Sequence, residues 1–253
     1  MVLQQVHQTL SQHGLKAPVI HHVCADKSVL GGVFAVMDLM PGEPLFAQKP
    51  EAFASVLGES MARIHELGVR PIVESFRRAG VPDERFLSPI THHKAFDFYE
   101  QKTPWAADLM SWLRVHLPFD GENLAVIHGD YHAGNVMFEN GVVSGVLDWN
   151  FRISDPALDL ASTMNINLIF TRQVDPTVSP QVCEQFVDGV LEAYQAIRPL
   201  NHERIKFFRV FHLFRALALG VAAVGPEFLR KPSSQGDYLA FIERTTGLTL
   251  SPP

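Results

Sequence analysis

Three polar residues carry the chemistry this sequence offers: Asp130, Asn135 and Asp148. Asp130 ends the triplet His128-Gly129-Asp130, Asn135 follows five residues later, and Asp148 is the middle of Leu147-Asp148-Trp149. A carboxylate such as Asp130 can orient an attacking hydroxyl and accept its proton. An amide oxygen and a second carboxylate, Asn135 and Asp148, are hard oxygen ligands suited to Mg²⁺ held against phosphate oxygens. The chemistry that uses all three is phosphoryl transfer. Taken singly, Asp130 or Asp148 reads as a turn or cap carboxylate. The ordered set points to chemistry.

The surrounding pattern supplies elements to position them. Residues 124–127 are an apolar run that predicts a short strand leading into His128. Residues 135–138 predict a strand, 139–141 a turn, and 142–147 the returning strand. The three polar residues then stand at strand ends, where a rigid scaffold fixes functional groups. Upstream, residues 3–13 have helical spacing and Gly14 stops them. Residues 18–24 predict an extended run, Asp26 to Ser28 and Gly31-Gly32 a turn, and 33–39 a second strand ended by Met40-Pro41-Gly42. Residues 50–67 form an amphipathic pattern. Four prolines break up 69–104. Helices are predicted over 105–116, 157–170, 179–197 and 201–223.

Composition sets bounds. The 253 residues are 47% hydrophobic and 19% charged, a globular balance with enough chain for one large domain or two lobes. A formal net charge of −6 gives no electrostatic help toward nucleic acid or anionic membrane. Cys24 and Cys183 lie far apart, have no metal-ligand spacing and read as small buried residues of a reducing compartment. Neither a signal-peptide pattern nor a membrane-length apolar run is visible, so the expected location is cytoplasmic. His92-His93 is rejected as a metal pair because adjacent side chains do not share a face.

The order HGD-x-H-x-x-N, hairpin, LDW, then Asp155-Pro156-Ala157-Leu158-Asp159-Leu160-Ala161 resembles the aminoglycoside phosphotransferase and choline kinase-like family. The Asp-to-Asn interval is also that of the protein-kinase catalytic loop. The resemblance implies an α+β, protein-kinase-like fold: residues 1–42 as a partial N-terminal lobe and hinge, and 43–253 as a mainly helical catalytic lobe. It implies ATP and Mg²⁺ as cofactors and a small-molecule hydroxyl acceptor. In that frame Asp130 is the base, His128 braces the catalytic loop, and Asn135 and Asp148 hold the metal. Residues 131–134 line the cleft near the transferred phosphate. The backbone of Asp38, Leu39 and Met40 bonds the adenine edge. Asp155 caps a helix, Asp159 is structural, and His65 packs near the hinge. Asp188, Glu192 and Glu227 are candidate acids toward the acceptor.

The sequence departs from the family before residue 33. It shows no glycine-rich phosphate loop, no mid-strand lysine (Lys16 and Lys27 sit in or beside turns), and Gln4 and Gln5 where the family's helix carries an acid. The small lobe therefore reads as curtailed. Its absent parts would leave apolar surface near residues 33–37 uncovered and invite self-association. Two alternatives stay open: a catalytically impaired kinase-fold binding module, and an inactive truncated fragment.

Overall fold

The computed structural model describes residues 2–47, 50–87, 96–118, 123–171, 175, 177–230 and 238–251. Helix α1 (Val2–Gln12) ends just before Gly14, which takes φ +81°. Gln4 Nε2 donates to the Ile20 carbonyl at 3.1 Å and His7 Nδ1 lies 2.8 Å from the Pro18 carbonyl, tying α1 to the chain that follows. Strands β1 (Ile20–Cys24) and β2 (Phe34–Met37) pair antiparallel. Between them the expected turn contains one helical turn, α2 (Lys27–Leu30). Asp26 caps it through Ser28 N at 2.9 Å, and Gly31 ends it at φ +74°. An aspartate cap and a left-handed glycine five residues apart close one turn of helix. Val33, Val36 and Met37 are 61%, 51% and 44% exposed, so apolar surface on this hairpin is uncovered.

A three-stranded antiparallel sheet follows in the order β3 (Glu43–Pro44), β5 (Val136–Glu139), β6 (Val142–Val146). Asn140 and Gly141 take φ +51° and +83°, the two positive values of a tight hairpin turn. Strands β4 (Ala125–Ile127) and β7 (Arg152–Ser154) form a separate antiparallel pair. The expected mixture of small sheets and a large helical body is the observed fold class.

The helical body is built on α3 (Pro50–His65), which packs along α7 (Pro180–Gln195). Gly58 makes that approach possible: a Cβ there would stand 2.2 Å from the Val190 carbonyl oxygen. Helix α6 (Ala157–Asn165), a π turn at Ile166–Phe170, α8 (His202–Val224) and α9 (Ala240–Thr246) complete it with α4 (Val69–Arg78) and α5 (Ala107–His116). Leu57, Met61, Ile72, Phe76, Phe208 and Phe214 belong to one continuous buried core.

Among the described residues several elements were not legible, four of them helices or strands of the fold above. Helix α4 was obscured by Pro71, which lies in its first turn, where the missing N–H costs nothing. Strands β3 and β7 have two and three residues and no alternating pattern. Helix α9 is seven residues long. One expectation needs correction: α8 is long and apolar enough by length and composition to cross a membrane. Nine of its residues, Phe208, Phe211 and Phe214 among them, are buried within the protein instead. Cys183 is buried as expected but Cys24 is half-exposed. His92-His93 lies outside the described residues.

Candidate active site

Four hydrogen bonds close a ring through the predicted residues. The His128 imidazole accepts the Asp130 N–H on Nδ1 at 3.2 Å, which leaves the proton on Nε2, and Nε2 donates to the Leu147 carbonyl at 2.7 Å. Leu147 N–H donates to the Asn135 carbonyl at 2.8 Å. Asn135 Nδ2 donates to the Asp130 carbonyl at 3.0 Å. The catalytic-loop sequence and the end of β6 are thereby locked to each other, which brings Asp130 and Asn135 beside Leu147, the residue before Asp148. His128 was predicted among the catalytic residues. It is fully buried with both ring nitrogens engaged, a geometry that braces the loop. Burial pushes its imidazole below the usual range against the opposing pull of Asp159, and it stays neutral.

The orientation of Asn135 follows from that ring. With Nδ2 held by the Asp130 carbonyl, Oδ1 is the atom left to a ligand. Asp148 is exposed and takes φ +56°, a left-handed conformation uncommon for a residue other than glycine. Its neighbour Trp149 is buried, donates Nε1–H to the Val146 carbonyl at 2.8 Å, and lies 4.7 Å from the His128 ring between centroids. The anchored indole and the anchored Leu147 fix the backbone on both sides of Asp148. Gly129 is required for the same contact: at φ +85°, a Cβ would come 2.7 Å from the Asn150 carbonyl oxygen.

By donor chemistry, the amide oxygen of Asn135 and the carboxylate of Asp148 suit a hard divalent cation that completes its shell with phosphate oxygens and water. Among the described residues no three His, Cys, Asp or Glu side chains group to hold a metal ion.

Asp159 has the structural role expected of it, holding the start of the loop. Its carboxylate accepts the backbone N–H of His128 and of Gly129, and His65 Nε2 at 3.2 Å. The Tyr194 hydroxyl meets His65 Nδ1 at 2.9 Å. Burial pushes the Asp159 carboxyl up, but the His65 hydrogen bond, the nearby imidazoles and the His128 N–H together hold it below the usual range. Thr163 Oγ1 donates to the Tyr131 carbonyl at 2.6 Å, and the Tyr131 hydroxyl meets Ser60 Oγ at 2.5 Å. Ser60 and Thr163 were missed, because a lone hydroxyl inside an apolar helix gives no pattern. Tyr131 is fully buried and does not line the cleft. His132, Ala133 and Gly134 are partly exposed. His132 Nε2 stands 4.0 Å from Asp130 Oδ2, and Phe46 N–H donates to the Ala133 carbonyl.

The expected hinge is only partly free. Asp38 N–H donates to the Val19 carbonyl at 3.0 Å, and its carboxylate accepts Val19 N–H at 2.9 Å and His21 Nε2 at 2.6 Å. Asp38 therefore closes the β1–β2 hairpin and its N–H is not available to a base. Leu39 is 96% exposed. Met40 lies over Gly145 of β6, whose missing side chain leaves room for it. Lys16 Nζ donates to the Val143 carbonyl, and Lys27 begins α2. Asp155 accepts Ala157 N–H and pairs with Arg204, a structural role. Asp188 and Glu192 are exposed on α7. Among the described residues neither they nor Glu227 bonds to Asp130, Asn135 or Asp148.

The Phosphotransferase enzyme family model matches residues 4–208. The chain belongs to this family. Acyl-CoA dehydrogenase family member 10 of Mus musculus is 28% identical over 170 residues, 62% of this chain, which spans only 16% of that protein. Aminoglycoside 3'-phosphotransferase of Streptomyces fradiae is 28% identical over 214 residues, 81% of this chain and 75% of its own length. Amicoumacin kinase hAmiN, solved with AMP-PNP and Ca²⁺, superposes with a TM-score of 0.61 at 16% identity, covering 98% of this chain and 78% of that one. At that identity the likeness is one of fold, and the fold is kinase-like.

Proposed function

We propose that this phosphotransferase-family chain moves the γ-phosphoryl group of ATP to a hydroxyl of a small molecule. The observation that supports it is the hydrogen-bonded ring that ties Asp130 and Asn135 to Leu147, the residue before Asp148. In the proposed step the acceptor oxygen bonds to the γ-phosphorus as the bond from that phosphorus to the bridging oxygen breaks. ADP leaves with the electron pair, and the hydroxyl proton passes to the Asp130 carboxylate. Asn135 Oδ1 and Asp148 would hold Mg²⁺, which supplies charge neutralisation at the phosphate oxygens. The Leu39 and Met40 backbone, rather than Asp38 N–H, would meet the adenine edge. Support for a nucleotide comes from the AMP-PNP in the amicoumacin kinase complex.

A second reading, a nucleotide-binding module of low turnover, is favoured by one observation. Neither lysine before residue 43 stands mid-strand, where a phosphate grip is expected.

Calorimetry of Mg-ATP with the wild-type chain and Asp148→Asn, followed by a transfer assay with Asp130→Ala, tests both. The phosphotransferase reading expects Mg²⁺-dependent binding that Asp148→Asn abolishes, and a kcat lowered at least about 10²-fold by Asp130→Ala. Binding without turnover in the wild-type chain selects the module. Unchanged Mg-ATP affinity in Asp148→Asn removes Asp148 from the metal site.

A further inference from the structure

His132 Nε2 stands 4.0 Å from Asp130 Oδ2, and the two side chains are 32% and 39% exposed. The other ring nitrogen is already engaged. Nδ1 lies 3.1 Å from the Gly134 nitrogen, whose N–H can only donate. Nδ1 is therefore the accepting nitrogen, and the proton of the neutral ring is on Nε2, the nitrogen beside the carboxylate.

The ring is held in that place. A Cβ on Gly134 would stand 2.9 Å from His132 Cε1 and 3.0 Å from Nδ1, so the imidazole lies against backbone that only glycine leaves open. The main chain around it is pinned at three successive carbonyls. Thr163 Oγ1 donates to the Tyr131 carbonyl at 2.6 Å, Asn135 N–H to the His132 carbonyl at 2.9 Å, and Phe46 N–H to the Ala133 carbonyl at 3.3 Å. Asp130 is pinned through its main chain as well, with its N–H on His128 Nδ1 and its carbonyl on Asn135 Nδ2. Main-chain bonds do not set the two side-chain torsions that place a carboxylate. A base needs its accepting oxygen within hydrogen-bond reach of the proton, so a second contact on the carboxylate has work to do.

We propose that His132 is a positioning residue: its Nε2–H holds Asp130 Oδ2 and turns Oδ1 toward the hydroxyl of the acceptor. Catalytic contacts are often long before substrate binds, and a small rotation of either side chain closes this one. In the transfer step the hydroxyl proton passes to Asp130 Oδ1, and His132 neither gains nor loses a proton. This rests on the phosphotransferase reading and adds the residue that orients its base.

The test uses the two part-mimics of histidine. Asparagine places an amide where Nδ1 stands, and glutamine places one where Nε2 stands. His132→Asn, His132→Gln and His132→Ala are compared with wild type in the full chain by phosphate release from Mg-ATP, with water as acceptor. His132→Asn and His132→Ala should lower kcat about 10-fold or more, the scale of a hydrogen bond to a charged group, while His132→Gln stays within about 3-fold of wild type. KM for Mg-ATP should be the same in all four proteins. A histidine that only closes the turn onto Gly134 gives the reverse order, with His132→Asn active and His132→Gln impaired, and overturns the proposal. Equal kcat in all four proteins overturns it too.

A second readout does not depend on turnover. Two-bond nitrogen–proton NMR of the ¹⁵N-labelled chain reads the tautomer, and the His132→Gln spectrum identifies the His132 peaks among those of 12 histidines. The proton is expected on Nε2, and Asp130→Asn is expected to move the Nε2 resonance more than Nδ1. A proton on Nδ1, or an Nε2 resonance unmoved by Asp130→Asn, overturns the contact. A wild-type chain without turnover counts against the phosphotransferase reading alone, and the NMR result then decides whether His132 holds Asp130.

Discussion

The Asp159 carboxylate accepts the backbone N–H groups of His128 and Gly129, each at 2.7 Å, and so holds the start of the catalytic loop from α6. Three donors converge on one buried carboxylate, because His65 supplies the third. An amide in its place has one acceptor oxygen and would set its own N–H against a donor. Asp159→Asn is therefore expected to cost about 3 kcal/mol, the scale of breaking a buried charged pair, and to lower transfer activity by loosening the loop. The pH dependence has a definite sign. A carboxyl depressed on folding contributes stability above its unfolded pKa and loses it as pH falls through the lower folded value. Urea midpoints should show the gap between wild type and variant constant near neutrality and closing only below about pH 4. A gap that narrows already between neutrality and pH 5 contradicts this assignment.

His212 gives a signal of the same sign in a higher pH window, with burial rather than a partner as its cause. Its pKa falls from 6.5 to about 4 on folding, chiefly through burial and then through Arg215. Between those values the unfolded chain binds more protons, so stability is fully present above the unfolded value and declines as pH drops toward 4. His212→Gln should flatten the fall in urea midpoint across that window. A slope identical to wild type would mean that His212 is solvated in the folded protein.

The hairpin that carries the candidate residues was legible in the local sequence pattern. Asn135 and Asp148 flank the hairpin that the sequence predicted, because two short apolar runs and the Asn140-Gly141 turn encode it locally. The supports were not legible. Asp159, His65 and Tyr194 are far apart in sequence, and only the packing of α3, α6 and α7 makes them one chain of hydrogen bonds. Asp38 shows the limit in the other direction. The strand ending before it was readable, but the pairing of Asp38 with Val19 and His21 depends on the hairpin register.

Ser60 and Tyr131 offer a test of loop support that leaves the charged groups alone. Ser60 Oγ already donates to the Val56 carbonyl at 2.7 Å, so the Tyr131 hydroxyl is the donor in their mutual bond. Ser60→Ala strands that buried hydroxyl, at a cost of about 1–3 kcal/mol. Tyr131→Phe removes the donor, so adding it to Ser60→Ala should cost much less than it does alone. A double-mutant cycle by urea denaturation measures the coupling, and strict additivity would show that the bond contributes nothing.

Asp148 separates backbone from chemistry. At φ +56° any side chain with a Cβ pays for the left-handed conformation, and Trp149 and Leu147 keep the backbone from relaxing. Asp148→Ala and Asp148→Gly remove the same carboxylate, but only glycine tolerates the angle freely. Asp148→Gly should therefore be more stable than Asp148→Ala by about 1 kcal/mol, the cost of a left-handed residue. Both variants should lose Mg²⁺-dependent nucleotide binding. A strained aspartate that is retained when glycine would serve the fold is what a functional position predicts. Equal stability of the two variants would show that the turn relaxes. Nucleotide affinity matching wild type in the glycine variant would leave the strained aspartate without a metal to hold.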